Sequence, residues 1–224
     1  MIPFRDHNPS GRFPIVTVIL IVANALVFLY ELLLSSTGQL EQFYYQAALI
    51  PANVTAALTP ATALTFLTSM FMHGGWMHLI GNMLYLWIFG DNIEDILGSL
   101  GFVVFYLACG VAADVAHILI EPRSPVPTLG ASGAIAGVLG AYLITYPRAR
   151  VDTLVFLGYF IRIISLPALV VLGFWFVLQL FNGLLSLGVS TGGGVAFFAH
   201  VGGFVAGLAL MGVVRLLRPV ERPY

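Results

Sequence analysis

Apolar runs of about bilayer length, divided by short polar or proline-bearing links, are the feature that most limits what this chain can fold into. A helix that crosses hydrocarbon needs roughly 20 apolar residues and must satisfy its own backbone polar groups. Six such runs are read along the chain, near 14–34, 76–96, 100–120, 132–146, 166–187 and 195–217, the fourth being short for a span. Composition agrees: the chain is 59% hydrophobic and 8% charged, where soluble domains carry roughly 25% charged residues. The expectation is an all-α integral membrane protein, a six-helix bundle with a short central fourth helix. Residues 1–13 then form a cytoplasmic N-terminal segment, 14–217 the six-span core, and 218–224 a cytoplasmic tail.

The links refine this picture. The connection from Ser35 to about Thr65 is too polar to span, and its Phe43-Tyr44-Tyr45 cluster suits a membrane interface. At roughly 30 residues it is long enough to need structure of its own. The tract from Thr153 to Leu187 is too long for one crossing and is broken by Arg162 and Pro167, so 153–165 is assigned to an interfacial segment. The glycine-rich stretch 188–194 reads as a flexible loop. Glu31, in the last turn of the first span, is expected to reach the headgroup region.

Basic residues orient such a bundle, because cytoplasmic links collect them. With six crossings, Arg5, Arg12, Arg148, Arg150, Arg162, Arg215, Arg218 and Arg222 fall on the side of both termini, and only Arg123 on the other. Both termini are expected to be cytoplasmic, and the link holding Pro125 and Pro127 faces outward. That link runs into Gly130-Ala131-Ser132-Gly133, which places a glycine-flanked serine where a loop becomes a short helix.

Polar residues within spans are costly and usually face the bundle interior or a water-filled cavity. His78 and Asn82, four apart, share one helix face. His200 begins the sixth span in Ala199-His200-Val201-Gly202-Gly203. Up-and-down topology puts Ser132, His78, Asn82 and His200 at one depth in the outward half of the bilayer. A serine hydroxyl needs an adjacent base, most often imidazole, and His200 is the candidate. Donors to a developing oxyanion are available from the backbone at Ala131 and Ser132, from Asn82 and from His78. Taken singly, a glycine-flanked serine is a common packing site, and an asparagine in a span is often interhelical glue. Gly203 and Gly207 have small-xxx-small spacing suited to close packing on Gly133, Gly137 and Gly140. Asp114 is expected to pair with His117 or Arg123, and Glu94 and Asp95 to brace the inner end of the second span. His73 and His78, five apart, do not share a helix face, and no residue set has metal-ligand character. The single cysteine, Cys109, excludes an internal disulfide, and the near-neutral charge without a basic run argues against nucleic acid as a partner.

Gly130-Ala131-Ser132-Gly133, His78-Leu79-Ile80-Gly81-Asn82 and Ala199-His200-Val201-Gly202-Gly203 through Gly207 resemble the motifs of the rhomboid intramembrane serine proteases, in the family's order. The resemblance implies a Ser–His dyad with Ser132 as nucleophile and His200 as general base. It also implies oxyanion roles for His78 and Asn82, a further histidine at His73, and a structural pair of Glu94 with Gly98. The substrates it implies are single- or multi-span membrane proteins cut near the outer face of a lipid bilayer, with no cofactor. Transmembrane helices there must fray before their carbonyls can be attacked. A prokaryotic plasma membrane is the expected location, and the sequence sets no oligomeric state. Two positions depart from the family pattern: Ala136 stands where an aromatic commonly stacks on the catalytic histidine, and no Trp-Arg pair occurs between Ser35 and Thr65. The alternatives are a non-catalytic rhomboid-like protein that binds client helices, or a small transporter, for which neither inverted repeats nor paired ion-site carboxylates are found.

Overall fold

The computed structural model describes residues 1–157, 160–187 and 195–217. The fold is mostly helical, with a small sheet at one end. Among the described residues, four helices are long and apolar enough to cross a membrane: α1 (Ile15–Ser36), α5 (Trp76–Ile120), α7 (Ala168–Ser186) and α8 (Phe197–Leu217). The connection after α1 holds three short helices, α2 (Leu40–Ala47), α3 (Pro51–Ala56) and α4 (Pro60–Thr68), and ends in a 3-10 turn over Ser69–Phe71. Proline at the first position of α3 and α4 fits, because that N–H has no intrahelical partner. Thr59 and Thr62 close a reciprocal cap on α4.

The 45 residues of α5 are not one rod. Gly98, at φ 70° and ψ 162°, leaves the helical region and breaks the element into two helices. Both outer ends of these halves return to one place: the His78 ring and the Ala113 side chain each abut the glycines that flank Ser132. Glu94 fixes the break. Its buried carboxylate accepts from the Val16 and Thr17 N–H groups at 2.9 and 2.8 Å, and from the hydroxyls of Thr17 and Ser99, both at 2.9 Å. One side chain therefore supplies acceptors for free N–H groups at the start of α1 and ties them to the turn beyond Gly98.

α6 (Ser132–Thr145) packs against α5, α7 and α8. It has 14 residues, about 21 Å at 1.5 Å per residue, and nearly every position is buried. Lipid offers little hydrophobic gain for helix association, so close packing must hold such a helix. Small residues allow it. A Cβ added at Gly203 would overlap the Gly133 carbonyl oxygen, one at Gly207 the Gly137 carbonyl, and one at Gly140 the Phe204 carbonyl. Around this contact lie the buried rings of Phe89, Phe102, Tyr106, Tyr142 and Phe204.

Three expectations are corrected. The fold is not all-α: β1 (Ile2–Asp6), β2 (Arg150–Leu157) and β3 (Phe160–Pro167) form an antiparallel sheet in the order β1-β2-β3. The tract assigned to an interfacial segment supplies most of β2 and β3, and its Val, Thr, Ile and Phe residues favour a pleated surface. Residues from the segment before α1 pair with it, Ile2 opposite Leu154 and Asp6 opposite Val151, with an irregularity between Pro3 and Arg5. Glu31 does not reach a headgroup: it is buried, and its carboxylate accepts the His73 N–H at 3.1 Å. Asp114 does not pair with His117 or Arg123; Asp114 Oδ2 and His117 Nδ1 are buried without a hydrogen-bond partner. The loop expected at 188–194, and the tail 218–224 with Arg218 and Arg222, lie outside the described residues.

Candidate active site

The link before α6 is pinned on both sides before it delivers Ser132. Leu49 and Thr128 exchange backbone hydrogen bonds at 3.0 and 2.7 Å, and the Gly130 N–H donates to the Ser69 carbonyl at 2.9 Å. Gly130 then turns with φ 130°, a conformation that side chains rarely adopt. Space demands glycine there as well, since an added Cβ would lie 2.8 Å from His78 Cε1 and Nε2. The His78 ring thus lies over Gly130 and close to Ser132. Ser132 opens α6 just after Ala131, where the first N–H groups of a helix have no intrahelical acceptor. Ser132 is only partly buried.

α8 brings His200 to that hydroxyl: Nε2 lies 2.8 Å from Ser132 Oγ. The glycine contact between α6 and α8 sets this distance, because it fixes the separation of the two backbones one turn below. On the other face of the imidazole, Nδ1 lies 2.8 Å from Gln179 Oε1 on α7. Trp175, one turn earlier on α7, lies against the same ring with centroids 5.7 Å apart and planes inclined by 35°. Ala136 is buried within α6 and offers no ring to His200. Gln179 and Trp175 are the two site residues that sequence reasoning missed. The available signal was Gln179 itself, an amide within an apolar span.

Asn82 and His73 form the opposite wall. Asn82 Nδ2 lies 3.0 Å from His73 Nε2. Burial, followed by the neighbouring His78, lowers the His73 pKa to about 4, so its ring is neutral and Nε2 accepts from the amide. An amide nitrogen carries two hydrogens, and one of those of Asn82 is engaged by His73. Glu31 and Tyr44 hold the segment from behind, Glu31 by accepting the His73 N–H and Tyr44 by donating to the His73 carbonyl at 3.3 Å. The His78 Nδ1 accepts the Gly74 N–H at 3.4 Å, which leaves Nε2 as the protonated nitrogen.

The structure therefore gathers Ser132, His200, His78, Asn82, His73, Ala131, Gly130 and Gly133 at the head of α6. Gly203 and Gly207 lie below as the packing seam, and Glu94 lies apart at the Gly98 break. A serine hydroxyl within hydrogen-bond distance of an imidazole nitrogen, at the start of a helix, is an arrangement that could support acyl transfer.

Comparison with known proteins gives the family. The Rhomboid domain family matches residues 60–216. RHOMBOID-like protein 4 of Arabidopsis thaliana is 31% identical over 153 residues, 68% of this chain and 34% of that protein. Rhomboid protease GluP of Bacillus subtilis is 44% identical over 77 residues, 34% of this chain and 15% of its own length. Rhomboid-like protein 11, chloroplastic, of Arabidopsis thaliana is 41% identical over 73 residues, 33% of this chain and 26% of that relative. The matched stretches thus cover about a third or less of these longer relatives. With a family match that runs from the start of α4 almost to the end of α8, the chain belongs to the rhomboid family.

Proposed function

We propose that this chain is an intramembrane serine protease that cuts other membrane proteins in or near their transmembrane helices. The observation that carries this reading is the 2.8 Å approach of His200 Nε2 to Ser132 Oγ at the partly open head of a buried helix. In the proposed reaction, Nε2 takes the Ser132 hydroxyl proton as Oγ attacks the scissile carbonyl. The oxyanion forms among the Asn82 amide, the His78 Nε2–H and the backbone N–H groups at the start of α6, reinforced by the helix dipole. The imidazolium then gives its proton to the leaving amine, and water, activated by the same base, releases the acyl chain from Ser132.

This reading counts six crossings: α1, the two halves of α5 on either side of Gly98, the short α6, α7 and α8. It places both termini in the cytoplasm and the Ser132 mouth outward, in a prokaryotic plasma membrane. A substrate helix would have to unwind locally there, since a carbonyl held in a helix is shielded from attack.

The test uses purified protein in detergent with a single-span model substrate. Wild type is expected to cleave, and Ser132→Ala and His200→Ala to reduce turnover to background. A fluorophosphonate probe should label wild type at Ser132 and leave Ser132→Ala unlabelled. Cleavage that persists in Ser132→Ala would remove the mechanism.

A further inference from the structure

Ser132 and His200 use one imidazole nitrogen, and the state of the other decides whether the pair works. A neutral imidazole carries its proton on one nitrogen only, and the hydrogen bond made by the second nitrogen selects which. With the proton on Nε2, His200 faces the serine as a donor and is unable to take its proton. With the proton on Nδ1, Nε2 is an acceptor aimed at Oγ.

We infer that Gln179, on α7, is the positioning residue that sets this tautomer, its Oε1 accepting the His200 Nδ1–H while Trp175 holds the ring plane. This inference rests on the protease reading given above. The geometry is one line of three groups: Oε1 lies 2.8 Å from Nδ1, and Nε2 lies 2.8 Å from Oγ. When the serine proton moves to Nε2, the imidazolium still has an acceptor at Nδ1, so the positive charge forms against a fixed carbonyl dipole. Gln179 and Trp175 are four apart and share a face of α7. Trp175 also lies 6.1 Å from the Phe204 ring, and Phe176 stacks on Phe204 at 4.6 Å, which seats this face of α7 on α8. An amide suits the place better than a carboxylate. It sets a tautomer without the cost of holding a permanent charge at membrane depth.

The opposite amide orientation, with the Gln179 N–H donating to Nδ1, would put the proton on Nε2 and disable the base. The two are separated by measurement. In protein labelled with 15N-histidine, two-bond 1H–15N correlation at neutral pH should show His200 protonated at Nδ1, with assignment by the His200→Ala variant. Gln179→Leu is expected to lose that preference while keeping its thermal stability within a few degrees. Its turnover should fall with KM for the model substrate unchanged. The wrong tautomer in a Ser–His–Asp protease costs about 10⁴ in turnover, and losing a neutral acceptor leaves a tautomer mixture, so a fall of about 10- to 100-fold is expected. Gln179→Glu, which keeps an acceptor at the same atom, should recover part of the lost rate while lowering the unfolding temperature, because a charge is costly at that depth.

An Nε2-protonated His200 in wild type would overturn the inference, as would a Gln179→Leu variant with wild-type tautomer and turnover. Failure of the protease reading looks different: wild type would neither cleave nor label at Ser132. The tautomer measurement would then still decide the role of Gln179.

Discussion

At the residue scale, Gly130 joins fold and chemistry most tightly. Its φ of 130° disfavours any side chain, and the His78 ring occupies the space a Cβ would take. Gly130→Ala must therefore move either the Ser132 backbone or His78, and both belong to the proposed oxyanion site. Loss of one oxyanion donor typically costs about 10²–10³ in rate, and a loss of at least that size is expected in turnover of the model substrate. Probe labelling of Ser132 should slow in parallel, while circular dichroism remains that of wild type. Wild-type turnover in Gly130→Ala would mean that the ring does not work from where it lies. Ser132, His200, His78 and Asn82 were legible in the sequence because polar groups within apolar spans have few reasons to be there. Gln179 carried the same signal but stands in a run with no motif around it, and its partner is revealed only by the packing of α7 on α8. Glu31 was misread for a related reason. Near a helix end, snorkelling to the headgroups and capping a buried N–H look alike in one dimension.

At the scale of elements, the chain is held by backbones that touch. Gly133, Gly137 and Gly140 on α6 meet Gly203, Phe204 and Gly207 on α8, and the small-xxx-small spacing made part of this contact readable beforehand. Gly207→Ala would press a methyl into the Gly137 carbonyl, a backbone atom that has nowhere to go. Overpacking of this kind costs about 1–3 kcal/mol, and the unfolding temperature in detergent should fall by several degrees. It should take activity with it, because the same seam sets the distance between Ser132 and His200. Gly173 on α7 supplies the control, with nothing within 4 Å of an added Cβ. Gly173→Ala should leave the unfolding temperature unchanged or slightly raised, as alanine is the better helix former. Equal effects of the two substitutions would mean that the seam carries no special strain. The sheet was the least legible element. Phe160, Ile161, Ile163 and Ile164 are exposed, and an apolar tract interrupted by an arginine reads in sequence as membrane-adjacent. Only its pairing with a distant N-terminal strand makes it a sheet, and no local pattern encodes such pairing.

At the scale of the whole molecule, buried polar contacts gather at two ends of α6. One end is the site at Ser132. At the other, Tyr142 donates to Asp6 Oδ2 at 2.6 Å, Asn92 Nδ2 donates to the same oxygen at 3.3 Å, and Asn8 donates to Asn92 Oδ1. Strand β1 is thereby tied to the helix that carries the serine and to the first half of α5. Burial raises the Asp6 pKa from 3.8 to about 6, an effect that the Tyr142 hydrogen bond offsets in part and the Asp91 carboxylate reinforces. The sign follows from linkage. A carboxyl with a raised folded value favours the protonated fold, so its contribution to stability is complete below about pH 4 and is lost as pH climbs through 6. Asp6→Asn keeps an oxygen to accept the Tyr142 hydroxyl and removes the charge. Its unfolding temperature should match wild type near pH 4 and exceed it at pH 7.5, and that difference between the two proteins isolates Asp6 from every other titrating group. A difference that stays constant from pH 4 to 7.5 would show that folding does not raise the Asp6 pKa, so that the folded protein carries its carboxylate ionised over most of that range. The sheet would then be held by a charge-assisted bond rather than by a neutral one, and the end of α6 away from Ser132 would tolerate a charge that its burial argues against.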